Sequence, residues 1–345
     1  MHPDSASLRP VAQSGPVVQS GPVARWLWLL AALVVTMVVV GGITRLTESG
    51  LSITQWRPVS GIMPPLSESE WMAEFAHYRQ IDQFAAIHSG MTLPEFKHIF
   101  YWEYGHRVLG RVVGLVAALG WGWFVARRQV PAGYGLRLLA VPPLIGVQGL
   151  MGWLMVASGL KPGMVEVAPG WLAAHLLTGL FALSYFVWTA LDLGQGRARL
   201  TWLGLIAGVV LVGQLIYGAL MAGLRAGRVT DQWPLMNGSV WPGPTYAGQG
   251  LGHLLTADPA IVHFIHRWWA FAVVAVLVVL ARRVKALGAR RASIAIHSLF
   301  GTQILLGIAT VMTGVGLALA ALHQLVGALL VVAVVWGGHI LGRAR

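Results

Sequence analysis

Residues 259–281, PAIVHFIHRWWAFAVVAVLVVLA, hold a single formal charge, Arg267, in an otherwise apolar run. A helix needs about 20 mostly apolar residues to cross the hydrocarbon core of a bilayer. The backbone of such a run must satisfy itself internally, as a continuous helix. Working outward, seven further stretches read the same way: 26–43, 102–124, 136–157, 171–191, 200–222, 293–312 and 318–341. The expected fold is an all-α polytopic membrane protein with eight transmembrane helices. Composition agrees: of 345 residues 56% are hydrophobic and 10% charged, and mean hydropathy is +0.68, which excludes a pair of ordinary soluble domains. The 43 glycines read as close helix packing.

Residues 1–25, rich in Pro, Ser and Gly without periodicity, read as a disordered cytoplasmic tail and not as a signal peptide. Two connections are long enough to have structure of their own, 44–101 and 223–258, and EFKHIF (95–100) reads as a short interfacial helix before the second span. The net charge of +12 raises nucleic-acid binding, yet the charges are too sparse to build a basic face. With the N-terminus inside, the whole excess falls on cytoplasmic segments and the outer side is neutral, so the positive-inside rule places both termini in the cytoplasm. The chain has no cysteine, which removes thiolate metal sites, iron–sulfur clusters and cysteine nucleophiles.

The sequence repeats itself. EYGHRVLGRVVG (103–114) opens the second span and HFIHRWWAFAVV (263–274) the sixth; AAHLLTG (173–179) opens the fourth and ALHQLVG (321–327) the eighth. QGLMG (148–152), QLIYG (214–218) and QILLG (303–307) are three copies of Q-x-x-x-G. The expected architecture is two tandem four-helix bundles, 26–191 and 200–341, in the same orientation.

His106, His175, His266 and His323 share one description: each lies near the outer start of an even-numbered span, two per unit. A lone histidine in an apolar helix is more often a hydrogen-bonded core residue. Four at repeat-related positions and equal depth instead point to paired metal or haem ligation, with two imidazoles on facing helices of each bundle. Three residues before His106 is Glu103, and three before His266 is His263. Glu103 therefore shares a helix face with His106, or else pairs with Arg107 or Arg111. A carboxylate in one unit alone suggests that one haem site does chemistry. Arg107 and Arg267 are candidate haem-propionate partners, or side chains snorkelling to the interface. His77, His88, His98, His297 and His339 read as solvated or structural and His2 falls in the tail, while His253 and His263 lie near enough in sequence to approach the second site.

GGITRLTESGLSITQWRPVSGIMPP (41–65), EFKHIFYWEYGHRVLGR (95–111) and the later histidine helices resemble the haem A synthase family, in its mitochondrial and alphaproteobacterial branch, over nearly the whole chain beyond the tail. The resemblance implies oxidation of a ring methyl of haem O to a formyl group, by two successive hydroxylations and loss of water from a geminal diol. It implies that His106 and His175 hold the iron of substrate haem O and that His266 and His323 hold a resident haem b cofactor. Glu103 falls on the family's catalytic carboxylate. The resemblance also implies a bacterial inner membrane location with the haem sites towards the outer face, and partners of two kinds, a haem O synthase and cytochrome oxidase assembly factors. Some bacterial relatives carry a cysteine pair in the first outer segment; its absence here excludes a thiol relay. A di-haem b electron-transfer cytochrome and a haem transporter or chaperone are the rival readings, and Gly-rich outer faces permit a homo-oligomer.

Overall fold

The computed structural model describes residues 21–57, 60–246 and 248–343. Most of the expected tail therefore lies outside the described residues, and its end does not: α1 (Gly21–Leu46) is already helical at Gly21, where the run of apolar side chains begins. The remaining elements follow as α2 (Glu68–Tyr78), α3 (Asp82–Ile87), α4 (Leu93–Ala126), α5 (Gly135–Leu139), α6 (Val141–Gly159), α7 (Pro169–Gln195), α8 (Trp202–Gly223), α9 (Leu251–Ala257), α10 (Pro259–Ala286), α11 (Arg290–Met312) and α12 (Leu317–Arg343). Among the described residues eight helices are long and apolar enough to cross a membrane: α1, α4, α5 with α6, α7, α8, α10, α11 and α12.

The segment 95–100 is not a separate interfacial helix. It forms the first turns of α4, a continuous helix of 34 residues. At about 1.5 Å per residue such a helix outruns a hydrocarbon core of about 30 Å, so its N-terminal turns stand clear of the membrane. Thr92 and Glu95 start it, with Glu95 accepting from the Thr92 N–H at 2.7 Å. Phe96 seals the protruding turns against α2, stacking on Phe75 and Tyr78 with ring centroids 4.9 and 5.4 Å apart. The same capping chemistry starts α2, where Ser67 and Glu70 cap each other. These backbone hydrogen bonds hold the exposed Glu70 and Glu95 carboxyls below their ordinary values.

The spans pack as two rings with the same internal order. In the first, α1 touches α4 and α7, and α6 closes the ring between α4 and α7; in the second, α8 and α11 each touch α10 and α12. The rings meet through α1, α7, α8 and α12, with α7 the most buried span and α6 and α11 the most exposed to lipid. Gln324 of α12 donates to the Val38 carbonyl of α1 at 3.0 Å across this seam. At the end that carries the C-terminus of α12, buried Asp192 of α7 accepts from His339 of α12 and the Ala198 N–H, both at 3.0 Å, and from Arg137. At the opposite end Arg225 pairs with Glu48 at 3.0 Å and with Glu166, which also meets Arg45 at 3.4 Å.

Candidate functional site

Each of the four histidines sits against a glycine of the helix that precedes it in its own hairpin. A Cβ on Gly41 of α1 would stand 3.0 Å from His106 Nε2 on α4, and one on Gly152 of α6 would stand 2.9 Å from His175 Cε1 on α7. In the second ring, a Cβ on Gly218 of α8 would be 3.1 Å from His266 Cε1 on α10, and one on Gly307 of α11 would be 3.0 Å from His323 Cε1 on α12. Any side chain at these glycines would push on the ring, so the glycines set where each imidazole lies. Three of them close the Q-x-x-x-G repeats, and the glutamines that open those repeats also reach the histidines. Gln148 Nε2 lies 3.2 Å from His175 Nδ1 and donates to the His175 carbonyl at 2.9 Å. Gln214 Nε2 lies 3.3 Å from His266 Nδ1 and donates to its carbonyl at 3.0 Å. Gln303 Nε2 lies 3.3 Å from His323 Nε2.

In the first ring His106 and His175 stand on α4 and α7, both of which pack on α1 and on α6; in the second His266 and His323 stand on α10 and α12, which pack on each other. Two imidazoles per ring, each seated over a glycine, are a donor set that could hold a haem iron. His323 Nδ1 supports the fit, being buried with no hydrogen-bond partner among the described residues.

Glu103 stands one turn above His106 and is 2% exposed. Its carboxylate has four donors. Oε2 accepts from Ser52 Oγ and the Ile53 N–H, both at 2.8 Å, while Oε1 accepts from Arg107 Nε at 3.0 Å and Nη2 at 2.7 Å. Of the two arginines within reach on its helix face, Arg107 and Arg111, Glu103 pairs with Arg107. In the second ring the same positions carry His263 and Arg267, joined at 3.1 Å. Arg107 and Arg267 do the same work in their rings, tying the outer loop to the histidine helix: Arg107 donates to the Ile53 and Gln55 carbonyls, and Arg267 to those of Gln232, Pro234 and Leu235. Neither arginine snorkels freely into solvent; Arg267 is 6% exposed and lies over the Trp233 ring.

Residues 24–335 match the COX15-CtaA family of cytochrome oxidase assembly proteins. The chain belongs to that family. Among its relatives, the heme A synthase of Novosphingobium aromaticivorans is 52% identical over 336 residues, covering 93% of this chain and 95% of the relative. The heme A synthase of Erythrobacter litoralis is also 52% identical, covering 93% and 98%, and that of Sphingopyxis alaskensis is 48% identical, covering 99% and 97%. The COX15-CtaA match includes all four histidines and the long segment between α1 and α4.

Of the other histidines of this family member, His77 meets Gln55 at 3.1 Å and His88 meets the Tyr78 hydroxyl at 2.6 Å. His253 packs against Tyr246. Three features were not legible in the sequence. Ser52 and Ile53 complete the Glu103 environment from 50 residues away in the chain. The Gln and Gly of each repeat frame a histidine of the next span, a link that the recurrence of the motif alone does not give. His339, which reads as an unremarkable inner-end residue, is fully buried against Asp192; two ionisable groups inside spans were the signal for it.

Proposed function

We propose that the protein is a haem A synthase that converts the ring methyl of haem O to a formyl group by two successive hydroxylations, the geminal diol then losing water. The observation that carries this reading is an asymmetry on a symmetric frame. Both rings present a histidine pair, and only the first adds a carboxylate, Glu103, one turn from its histidine. The names carried by relatives aligned over nearly the whole chain support it. His106 and His175 are assigned to the iron of substrate haem O, and His266 and His323 to a resident haem b, which when bound supplies one-electron transfer towards an acceptor. Arg107 and Arg267 are assigned to propionates, each giving up a loop carbonyl for a charge-assisted bond.

Glu103 contributes a fixed negative charge. With four donors already engaged, the carboxylate could take a proton only by shedding a partner, whereas its charge is in place to stabilise positive charge developing at the oxidised methyl carbon. Of general base and electrostatic support, the surroundings favour the second. The charge asymmetry of the spans supports a plasma-membrane protein with cytoplasmic termini and the haem sites towards the outer face.

Extracting and chromatographing the haems that co-purify with the protein tests the reading. Haem b accompanied by haem O or haem A is the expected result. Two equivalents of haem b alone would instead favour a di-haem electron carrier, the reading that the matched histidine pairs by themselves also allow.

A further inference from the structure

Three histidines are framed by Q-x-x-x-G, and the fourth is not. The residue four before Gly41 is Met37. It occupies the place of a glutamine in space as well as in sequence. Gln148 lies over Gly179, four residues beyond His175, and Gln303 lies over Gly327, four residues beyond His323; Cβ atoms at these glycines would meet the amide nitrogens at 3.0 and 3.3 Å. Met37 lies in the same way over Gly110, four residues beyond His106, with its Cε 3.8 Å from where a Cβ would be. The frame around His106 is therefore complete except for its hydrogen-bonding group: a glutamine amide reaches each of the other three imidazoles, and Met37 has no N–H to offer the fourth. A thioether donates no hydrogen bond, accepts only weakly, and sits on a flexible side chain.

We propose that Met37 makes His106 the releasable axial ligand of the first ring, and that Gln148, Gln214 and Gln303 are positioning residues that hold the other three imidazoles. The inference rests on the assignment of a haem to each histidine pair. A group that steadies the ring of a ligating histidine typically changes metal affinity by about 10–100-fold. The second ring has a glutamine behind both histidines and suits a haem that stays. The first ring has one behind His175 only, which suits a haem that must enter and leave in every catalytic cycle: one ligand anchors it and the other lets go.

The test uses the full-length protein in detergent, loaded with ferric haem b at both sites and mixed with excess apomyoglobin as a haem scavenger. Wild type should release haem in a fast and a slow phase, the fast one absent from His175→Ala, which removes the anchoring ligand of the first ring. Met37→Gln should slow the fast phase roughly 10-fold or more and leave the slow one alone, while Gln214→Met should accelerate the slow phase by a similar factor. Low-temperature EPR of the ferric protein should show bis-imidazole signals at both sites throughout. A fast phase unchanged by Met37→Gln overturns the inference. Should that variant fail to accumulate, Gln214→Met and Gln303→Met carry the test, and wild-type release from both would overturn it equally. A wild-type protein without a fast phase, or with one that survives His175→Ala, would overturn the haem assignment of the first ring and the inference with it.

Discussion

Glu103 and the four histidine-seating glycines show how single residues define the site. The Glu103 carboxylate accepts from Ser52, Ile53 and Arg107 at once. Glu103→Gln keeps the shape of this network and removes its charge. Haem A formation, measured by chromatography of extracted haems, should fall about 10²–10³-fold, the scale of losing one electrostatic contact to a transition state, while the resident haem b spectrum persists. Wild-type output would refute the role given to the charge. The glycines act by what they lack. Gly218→Val puts a branched side chain where a single Cβ would already stand 3.1 Å from His266 Cε1, so the purified variant should lose its haem b absorbance while still inserting in the membrane. Full haem b content would show that the ring does not need that seat.

Among the elements, α4 is distinctive because it works on both sides of the membrane boundary. Its outer turns are held by an aromatic cluster with α2, centred on Phe96, which is fully buried. Phe96→Ala should cost about 3–5 kcal/mol locally, and hydrogen exchange should show α2 losing protection while the inner half of α4 keeps its own. The loop after α3 brings a pH dependence. His88 lies 3.8 Å from Glu48 and beside the Tyr78 hydroxyl. Burial pushes its pKa below the ordinary value of 6.5, with Arg225 adding to the shift and Glu48 opposing it. In the folded protein His88 stays neutral where an unfolded chain would already bind a proton. Its contribution is therefore complete above about pH 6.5 and declines as the pH falls through that value. Thermal unfolding in detergent should show stability dropping on acidification, and His88→Gln should flatten that drop. An unchanged slope in the variant would assign the acid sensitivity elsewhere.

At the scale of the whole molecule, the two rings are joined by polar contacts at both ends of an apolar seam. The contact at the C-terminal end of α12 carries the greater consequence, because Asp192, with a fully buried side chain, is shared by His339 of the other ring, Arg137 and the Ala198 N–H. Removing Asp192 leaves the fully buried His339 ring and the Ala198 N–H without their acceptor, while the half-exposed Arg137 can turn to solvent. Asp192→Ala should destabilise the protein by about 3–5 kcal/mol, read as a lowered midpoint of thermal unfolding in detergent. A shift within error of wild type would mean that the seam is held by its apolar packing alone.

The eight apolar spans, the repeat-related positions of the four histidines and the contrast between Glu103 and His263 are readable in the chain by itself. Hydropathy, helical spacing and internal repetition are local properties, and a membrane leaves a long apolar segment little choice of structure. The continuity of α4 is not legible in the sequence, because a helix that leaves the bilayer changes composition at the interface without changing conformation. Tertiary structure decided what depends on the rotation and register of one helix against another. That includes which glycine lies under which histidine, the replacement of a glutamine by Met37 behind His106, the return of Ser52 and Ile53 to Glu103, and the meeting of Asp192 with His339 from 147 residues away. Each of these is a contact between segments whose sequences carry no record of their distance, and packing alone brings them together.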